Sequence, residues 1–208
     1  CIETILRQVG DIGRMVEEFS SFARMPKPNA NKFDMKSVLE ATSFSQGMVS
    51  PDIKVVFESE AESVTYLGDE RLIGQAFGNL LKNAAEAIEG MPEEADVQGH
   101  IRVSLTESEK GLDITIEDNG PGFPEDVRDR LLEPYVTTRE KGTGLGLAIV
   151  NRIIVDHGGS ISLQNRLDGM RGARVRVWLP HDSLKVSETF DAQHDDELDE
   201  LPAPAGLV

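Results

Sequence analysis

Only one cysteine, Cys1, occurs among the 208 residues. That excludes an internal disulfide and a cysteine-based metal cluster, and it suits a reducing compartment. Basic residues are also scarce. The chain has 21 lysines and arginines against 37 aspartates and glutamates, a formal net charge of −16. A surface this acidic excludes general binding to nucleic acid or to an anionic membrane, since both attract basic surfaces. A polyanionic ligand would need locally placed cations or a metal ion. No apolar run approaches the roughly 20 residues of a membrane-spanning helix. The first residues show neither the basic start nor the apolar core of a secretory signal. No internal repeat is evident. The chain opens inside a helical pattern, and we expect a piece of a longer protein.

Hydrophobic residues make up 39% and charged residues 28%, the balance of a soluble globular chain. Ile5, Val9, Ile12, Val16, Phe19 and then Phe22 or Ala23 recur at spacings of four and three, a heptad seam over residues 1–25. Gly10 and Gly13 weaken that helix, so it needs a packing partner. It either lies on its own domain or forms one arm of a dimerising helical hairpin. MPKPNAN then breaks the pattern, and residues 26–33 read as a linker.

A helix over 35–48 is expected from Met35, Val38, Leu39 and Phe44. Short strands follow at 53–57 and 64–67. Residues 69–89 predict a strong helix with Leu72, Ile73, Ala76, Phe77, Leu80, Ala84, Ala87 and Ile88 on its apolar face. Ile101, Val103 and Leu105, then Leu112, Ile114 and Ile116, alternate with polar residues as two strands of a hairpin do. A second core helix is expected over 145–157. Ile161 with Leu163, and Val175, Val177 and Leu179, mark two more strands. Adjacent strand pairs late in the chain favour a mixed sheet with helices on one face over a doubly wound parallel sheet. Residues 182–208 are acidic, contain prolines and lack an apolar period. They read as a disordered tail, or as a segment that docks on a basic partner.

Three stretches carry candidate chemistry. In NLLKNAAEA, Asn79, Asn83 and Glu86 share one helix face by spacing. That stripe is either a solvated face or a place where Asn83 offers an oxygen to Mg²⁺, which prefers oxygen ligands and shares them with phosphates and water. In IEDNGPGFP, Asp118 ends a strand beside Gly120 and Gly122. This is either an Asp-Asn-Gly-Pro turn or an aspartate poised to accept a hydrogen bond from a ligand amine. In REKGTGLGLAIV, Gly142, Gly144 and Gly146 precede a helix whose free amides suit phosphate. The spacing is neither that of a Walker A loop nor that of a dinucleotide-binding turn. Thr137, Thr138, Arg139 and Lys141 lie just before it, as a mobile lid with hydroxyls and positive charge would.

In this order the stretches resemble the sensor histidine kinases of two-component signalling, over nearly all of residues 1–181. Residues 79–87 resemble the family's N box, and Asp118, Asn119, Gly120, Pro121 and Gly122 its first glycine box. Residues 133–138 resemble the F box, with Tyr135 where phenylalanine is frequent. Gly142, Thr143, Gly144, Leu145 and Gly146 resemble the second glycine box, and Gly172 with Ala173 a weaker third. VEEFSSFARMPKP, with the N-box region and PYVTTREKGTGLGLAIV, is most similar to the nitrogen-regulation kinases of NtrY type.

The resemblance implies an α+β fold, the two-layer Bergerat ATP-binding sandwich shared with gyrase, heat-shock protein 90 and mismatch-repair ATPases. It implies ATP or ADP with Mg²⁺ as ligands, Mg²⁺ on Asn83 and adenine on Asp118. The implied nucleotide contacts are Asn79, Asn83, Asp118, Gly120, Gly122, Tyr135, Thr137, Thr138, Arg139, Lys141, Gly142, Thr143, Gly144, Leu145 and Gly146. The related hydrolases carry a glutamate base one turn before the metal asparagine. Here Asn79 stands there, and an amide cannot take a proton from water. That favours phosphoryl transfer. Glu86 stands where some kinases carry a basic residue, so positive charge would come from Arg139 or Lys141. An ATPase or serine kinase of the same fold, and a nucleotide-bound docking module without activity, are the alternatives.

None of His100, His157, His181 and His194 has the context of a phosphoacceptor histidine, a motif like His-Glu-x-x-Asn-Pro. The expected organisation is therefore the second helix of a phosphotransfer hairpin (1–25), a linker (26–33), a catalytic ATP-binding domain (34–181) and an acidic tail (182–208). The implied partners are a response-regulator receiver domain and, in the intact kinase, a second copy. The implied location is the cytoplasmic side of a bacterial inner membrane, with membrane attachment only through upstream segments.

Overall fold

A computed structural model describes residues 10, 13, 20, 25, 27–92, 98–139, 142–166 and 170–181. The expected heptad helix, the tail and Lys141 lie outside the described residues, isolated positions in the first helix apart. The elements run β1 (Asn31–Asp34), α1 (Met35–Val49), β2 (Ile53–Ser59), β3 (Thr65–Gly68), α2 (Glu70–Glu89), β4 (Gly99–Ser108) and β5 (Gly111–Asp118). A 3₁₀ turn (Arg128–Arg130) follows, then α3 (Gly146–Asp156), β6 (Ser160–Asn165) and β7 (Ala173–Pro180).

The main sheet has five strands in the order β2-β4-β5-β7-β6. β2 pairs with β4 in parallel, and every other neighbour is antiparallel. Ile101, Val103, Leu105, Leu112, Ile114, Ile116, Val175, Val177 and Leu179 bury one face, and the three helices cover it. The opposite face carries charge ladders such as Arg174 on Glu117 and Arg176 on Asp113. Period-2 alternation in the sequence set that division of faces.

α1 and α2 each begin on an aspartate. Asp34 accepts the Lys36 and Ser37 amides at 3.3 Å each, and it also accepts the Val64 amide at 2.7 Å. The Ser37 hydroxyl and the Val64 amide hold its carboxyl below the ordinary aspartate value. Asp69 accepts the Leu72 amide on one oxygen and the Asn29 amide on the other, both at 3.0 Å. These caps satisfy amides that no helical carbonyl can reach. The Asp69 cap also ties the segment before β1 to the start of α2.

Two expectations need correction. The presumed linker at 26–33 contains most of β1, which pairs antiparallel with β3. Its local sequence has no strand period, and the pairing comes from β3 more than thirty residues away. Phe44 is not a core residue. It is 72% exposed, and Met35, Leu39 and Ser43 form the buried edge of α1 instead. Spacing predicted the helix correctly but placed its buried face one residue off.

His157 closes the far end of the fold, wholly buried at the end of α3. Its Nδ1 donates to the Ile153 carbonyl at 2.7 Å, and its Nε2 accepts the Asp69 amide at 3.0 Å. The ring thus joins α3 to the cap of α2. Truncation would open a cavity and orphan the Asp69 amide. His157→Ala should cost about 2–4 kcal/mol in urea unfolding followed by far-UV circular dichroism, and a loss under ~0.5 kcal/mol would contradict this role.

Candidate functional site

The three chemistry-bearing stretches meet at one end of the sheet. Asp118 is the last residue of β5 and is 5% exposed. Its Oδ1 accepts the Gly120 amide at 2.8 Å and the Ala173 amide at 3.1 Å. Both bonds fall on one oxygen, so Oδ2 keeps its acceptor capacity for a ligand. Burial pushes the Asp118 pKa above the ordinary carboxylate value, against the pull of the two amides and of the Arg166 and Arg139 charges. Gly172, with φ +136°, lies against the Asp118 backbone, and a Cβ there would collide with its carbonyl oxygen. Only glycine allows β7 to start so close to the end of β5.

The neighbouring Asn119 is structural. Its side chain accepts the His100 amide at 2.8 Å and donates to the Gln98 carbonyl at 2.8 Å, fastening the start of β4. Asn165 does similar work on the glycine turn. It accepts the Phe123 amide at 2.6 Å and donates to the Phe123 carbonyl at 2.9 Å, beside Gly122. Nothing local in the sequence marks Asn165, because its partner lies 42 residues away.

α2 presents Asn79, Asn83 and Glu86 on a half-buried stripe, while Leu80, Ala84 and Ile88 are buried on the core side. Ala87, expected in the core face, is half-buried and lies beside Gly120. The N-box helix and the first glycine turn are therefore direct neighbours. The second glycine stretch arrives from the other side, with Gly146 next to the Asn83 amide nitrogen.

Arg139 connects these parts. Its Nη2 donates to the Asn83 carbonyl at 2.5 Å, and its Nη1 reaches Asn83 Oδ1 at 3.4 Å. The same guanidinium pairs with Glu86 Oε2. An amide oxygen and a carboxylate oxygen thus converge on one cation. Hard oxygen donors of this kind fit Mg²⁺. Among the described residues no cluster of three or more His, Cys, Asp or Glu could hold a metal alone. A bound cation would need ligands from elsewhere.

The lid residues have distinct places. Thr137 Oγ1 accepts the Arg139 amide at 3.1 Å, so this hydroxyl shapes the turn. Thr138 is exposed. Tyr135 is 61% exposed and takes φ +67°, and its amide donates to the Gly144 carbonyl at 3.0 Å. A Cβ on Gly144, whose φ is +70°, would come within 2.6 Å of the Tyr135 carbonyl carbon. Thr143 Oγ1 accepts the Leu145 amide at 3.3 Å. The Leu145 side chain is wholly buried, so it anchors the loop from the core. α3 then starts without a side-chain cap, leaving its first amides for an anion.

Comparison with known proteins identifies the family and the fold. The family model described as "Histidine kinase-, DNA gyrase B-, and HSP90-like ATPase" matches residues 68–183. The nitrogen regulation protein NtrY of Azorhizobium caulinodans is 53% identical over 190 residues, which is 91% of this chain and 24% of that protein. A putative NtrY-like sensor histidine kinase of Rickettsia bellii is 37% identical over 89% of this chain and 30% of its own length. The chain thus spans between about a quarter and a third of these relatives. Among solved structures, full-length ShkA in complex with AMPPNP superposes with a TM-score of 0.71 at 26% identity, over 85% of this chain and 37% of that one.

Asp118 also makes a stability prediction. Its folded pKa is raised, so the stability it contributes is present below the ordinary aspartate value and lost as pH rises through the folded value. Asp118→Asn keeps the Oδ1 acceptor and removes the buried charge. In urea unfolding, the variant should gain stability relative to wild type as pH rises from about 4 to 7. A difference that does not change with pH would contradict the assignment of burial as the dominant cause.

Proposed function

Because this chain belongs to the histidine kinase-, DNA gyrase B- and HSP90-like ATPase family, with sensor histidine kinases as its relatives, we propose that it is the catalytic ATP-binding part of a longer kinase. In that kinase it would pass the ATP γ-phosphoryl group to a histidine that none of the 208 residues supplies. The observation that carries this reading is the position of Arg139. It bridges the lid to Asn83 and Glu86 on α2 and acts electrostatically on Asp118.

In this reading Asp118 Oδ2 accepts from the adenine amine, the group best matched to a buried acceptor at a strand end. Gly120 and Gly122 shape the floor of that pocket. Asn83 Oδ1 holds Mg²⁺, with Asn79 one turn before it, and the ion offsets phosphate charge when bound. The amides of 142–146 face the phosphates. Tyr135, Thr137, Thr138, Arg139 and Lys141 form the lid that closes over them. Phosphoryl transfer is mostly positioning and charge neutralisation, and this set provides both. Asn79 cannot act as a general base, which favours transfer to a protein acceptor over hydrolysis.

The heptad segment at 1–25 would serve as the second helix of a dimerising phosphotransfer hairpin. A response-regulator receiver domain would then take the phosphoryl group. Attachment to a membrane would come through other parts of the longer protein.

Calorimetric titration with ADP and Mg²⁺ tests the site. Wild type should bind. Asp118→Asn and Asn83→Ala should each weaken binding about tenfold or more, the scale of a lost charged hydrogen bond or metal ligand. Unchanged affinity in both would refute the assignment. With γ-labelled ATP the 208-residue chain should incorporate no label, and phosphate found on it would contradict the missing acceptor.

A further inference from the structure

Glu86 is unusual for a group beside a polyanion site. A carboxylate next to triphosphate repels it, and here it lies on the same helix stripe as Asn83. The structure shows how the charge is held in check. Glu86 Oε2 pairs with the Arg139 guanidinium, which also bonds both oxygens of Asn83. Its other oxygen lies 3.8 Å from Lys82 Nζ, a side chain 66% exposed. Solvent screens that second pair, so it offsets little of the charge.

Arg139 therefore occupies the cation position of the site while being the lid's own cation. Its single positive charge cannot neutralise phosphate and Glu86 at once. Drawing it onto a phosphate uncovers the Glu86 carboxylate beside the incoming anion. A divalent cation on Asn83 removes that conflict, since it neutralises Glu86 at the moment Arg139 leaves. A nucleotide without metal brings only more negative charge.

We propose that Glu86 is a specificity-determining residue that makes this site select the magnesium-loaded nucleotide over the free one. The exchange is one cation for another beside the Glu86 carboxylate, Arg139 out and Mg²⁺ in on Asn83 Oδ1, with Glu86 feeling the ion's charge without ligating it. The proposal rests on the nucleotide-site reading above. It adds that discrimination against free nucleotide comes from the carboxylate of Glu86, beyond the metal's own bonds to phosphate.

The test is the ratio of ATP affinities in MgCl₂ and in EDTA, measured by calorimetry on the whole chain. In Glu86→Gln the affinity for metal-free ATP should rise about tenfold, with magnesium-ATP affinity within about twofold, so the ratio falls about tenfold. Glu86 is half-exposed, and far-UV circular dichroism will confirm that the variant folds. Lys82→Met should leave the ratio unchanged. A wild-type ratio retained in Glu86→Gln, or an equal fall in Lys82→Met, overturns the proposal. Binding of neither form by wild type would overturn the nucleotide site itself. Binding of both with no effect of Glu86→Gln sinks this proposal alone.

Discussion

Oδ1 of Asp118 accepts amides from Gly120 and Ala173, and the rest of the site depends on that pair of bonds. They join the end of β5, the glycine turn after it and the start of β7. Gly172 lets the chain come this near, because any side chain would strike the Asp118 carbonyl. Once these are fixed, Gly120 sits against Ala87 and sets α2 at the sheet end. The carboxylate is held at a cost, since burial disfavours its charge. A buried acceptor with one oxygen fully engaged suits a ligand that supplies a donor to the other.

The second constraint is electrostatic and runs through the lid. The chain is strongly acidic, and a polyanion bound as proposed would meet few cations. Arg139 is the cation that the fold places over α2. Its backbone carbonyl accepts the Gly142 amide at 3.2 Å, so the guanidinium and the glycine stretch belong to one turn. In the proposed site, movement of Arg139 toward a phosphate would therefore move the loop whose amides would cradle it. Leu145 and α3 stay behind, anchored in the core by Leu145, Ile149, Val150 and Ile153. The glycine turn meets α3 between Gly144 and Gly146, where positive φ at Gly144 makes the bend possible.

Much of this was legible in the chain itself. Alternation at 101–105, 112–116 and 175–179 located the inner face of three strands, because one face of the sheet is dry and the other wet. The apolar stripe of α2 and the order of the three motifs carried the fold and named the candidate residues that it brings together. What escaped has one physical cause. β1, Asn165 and the Arg139–Glu86 pair are made by partners dozens of residues apart, and local pattern has no register of such pairs. Phe44 and Leu145 show the same limit. Spacing placed Phe44 in the core, where the turn of α1 exposes it. Motif resemblance placed Leu145 among ligand contacts, where its side chain fills the core and only its backbone can reach out.

The central claim is that Asn83, Asp118 and the 142–146 stretch form one nucleotide site. Amide chemical shifts of isotopically labelled protein, recorded while ADP and Mg²⁺ are added, test it most directly. The expected result is concerted movement at Asn83 and Glu86, at Asp118 and Gly120, and across 142–148, with one common affinity. The amides of Ser104, Thr106 and Arg176, in the middle of the polar face of the sheet, should stay still. Shifts confined to one of the three stretches, or separate affinities for them, would contradict a single site.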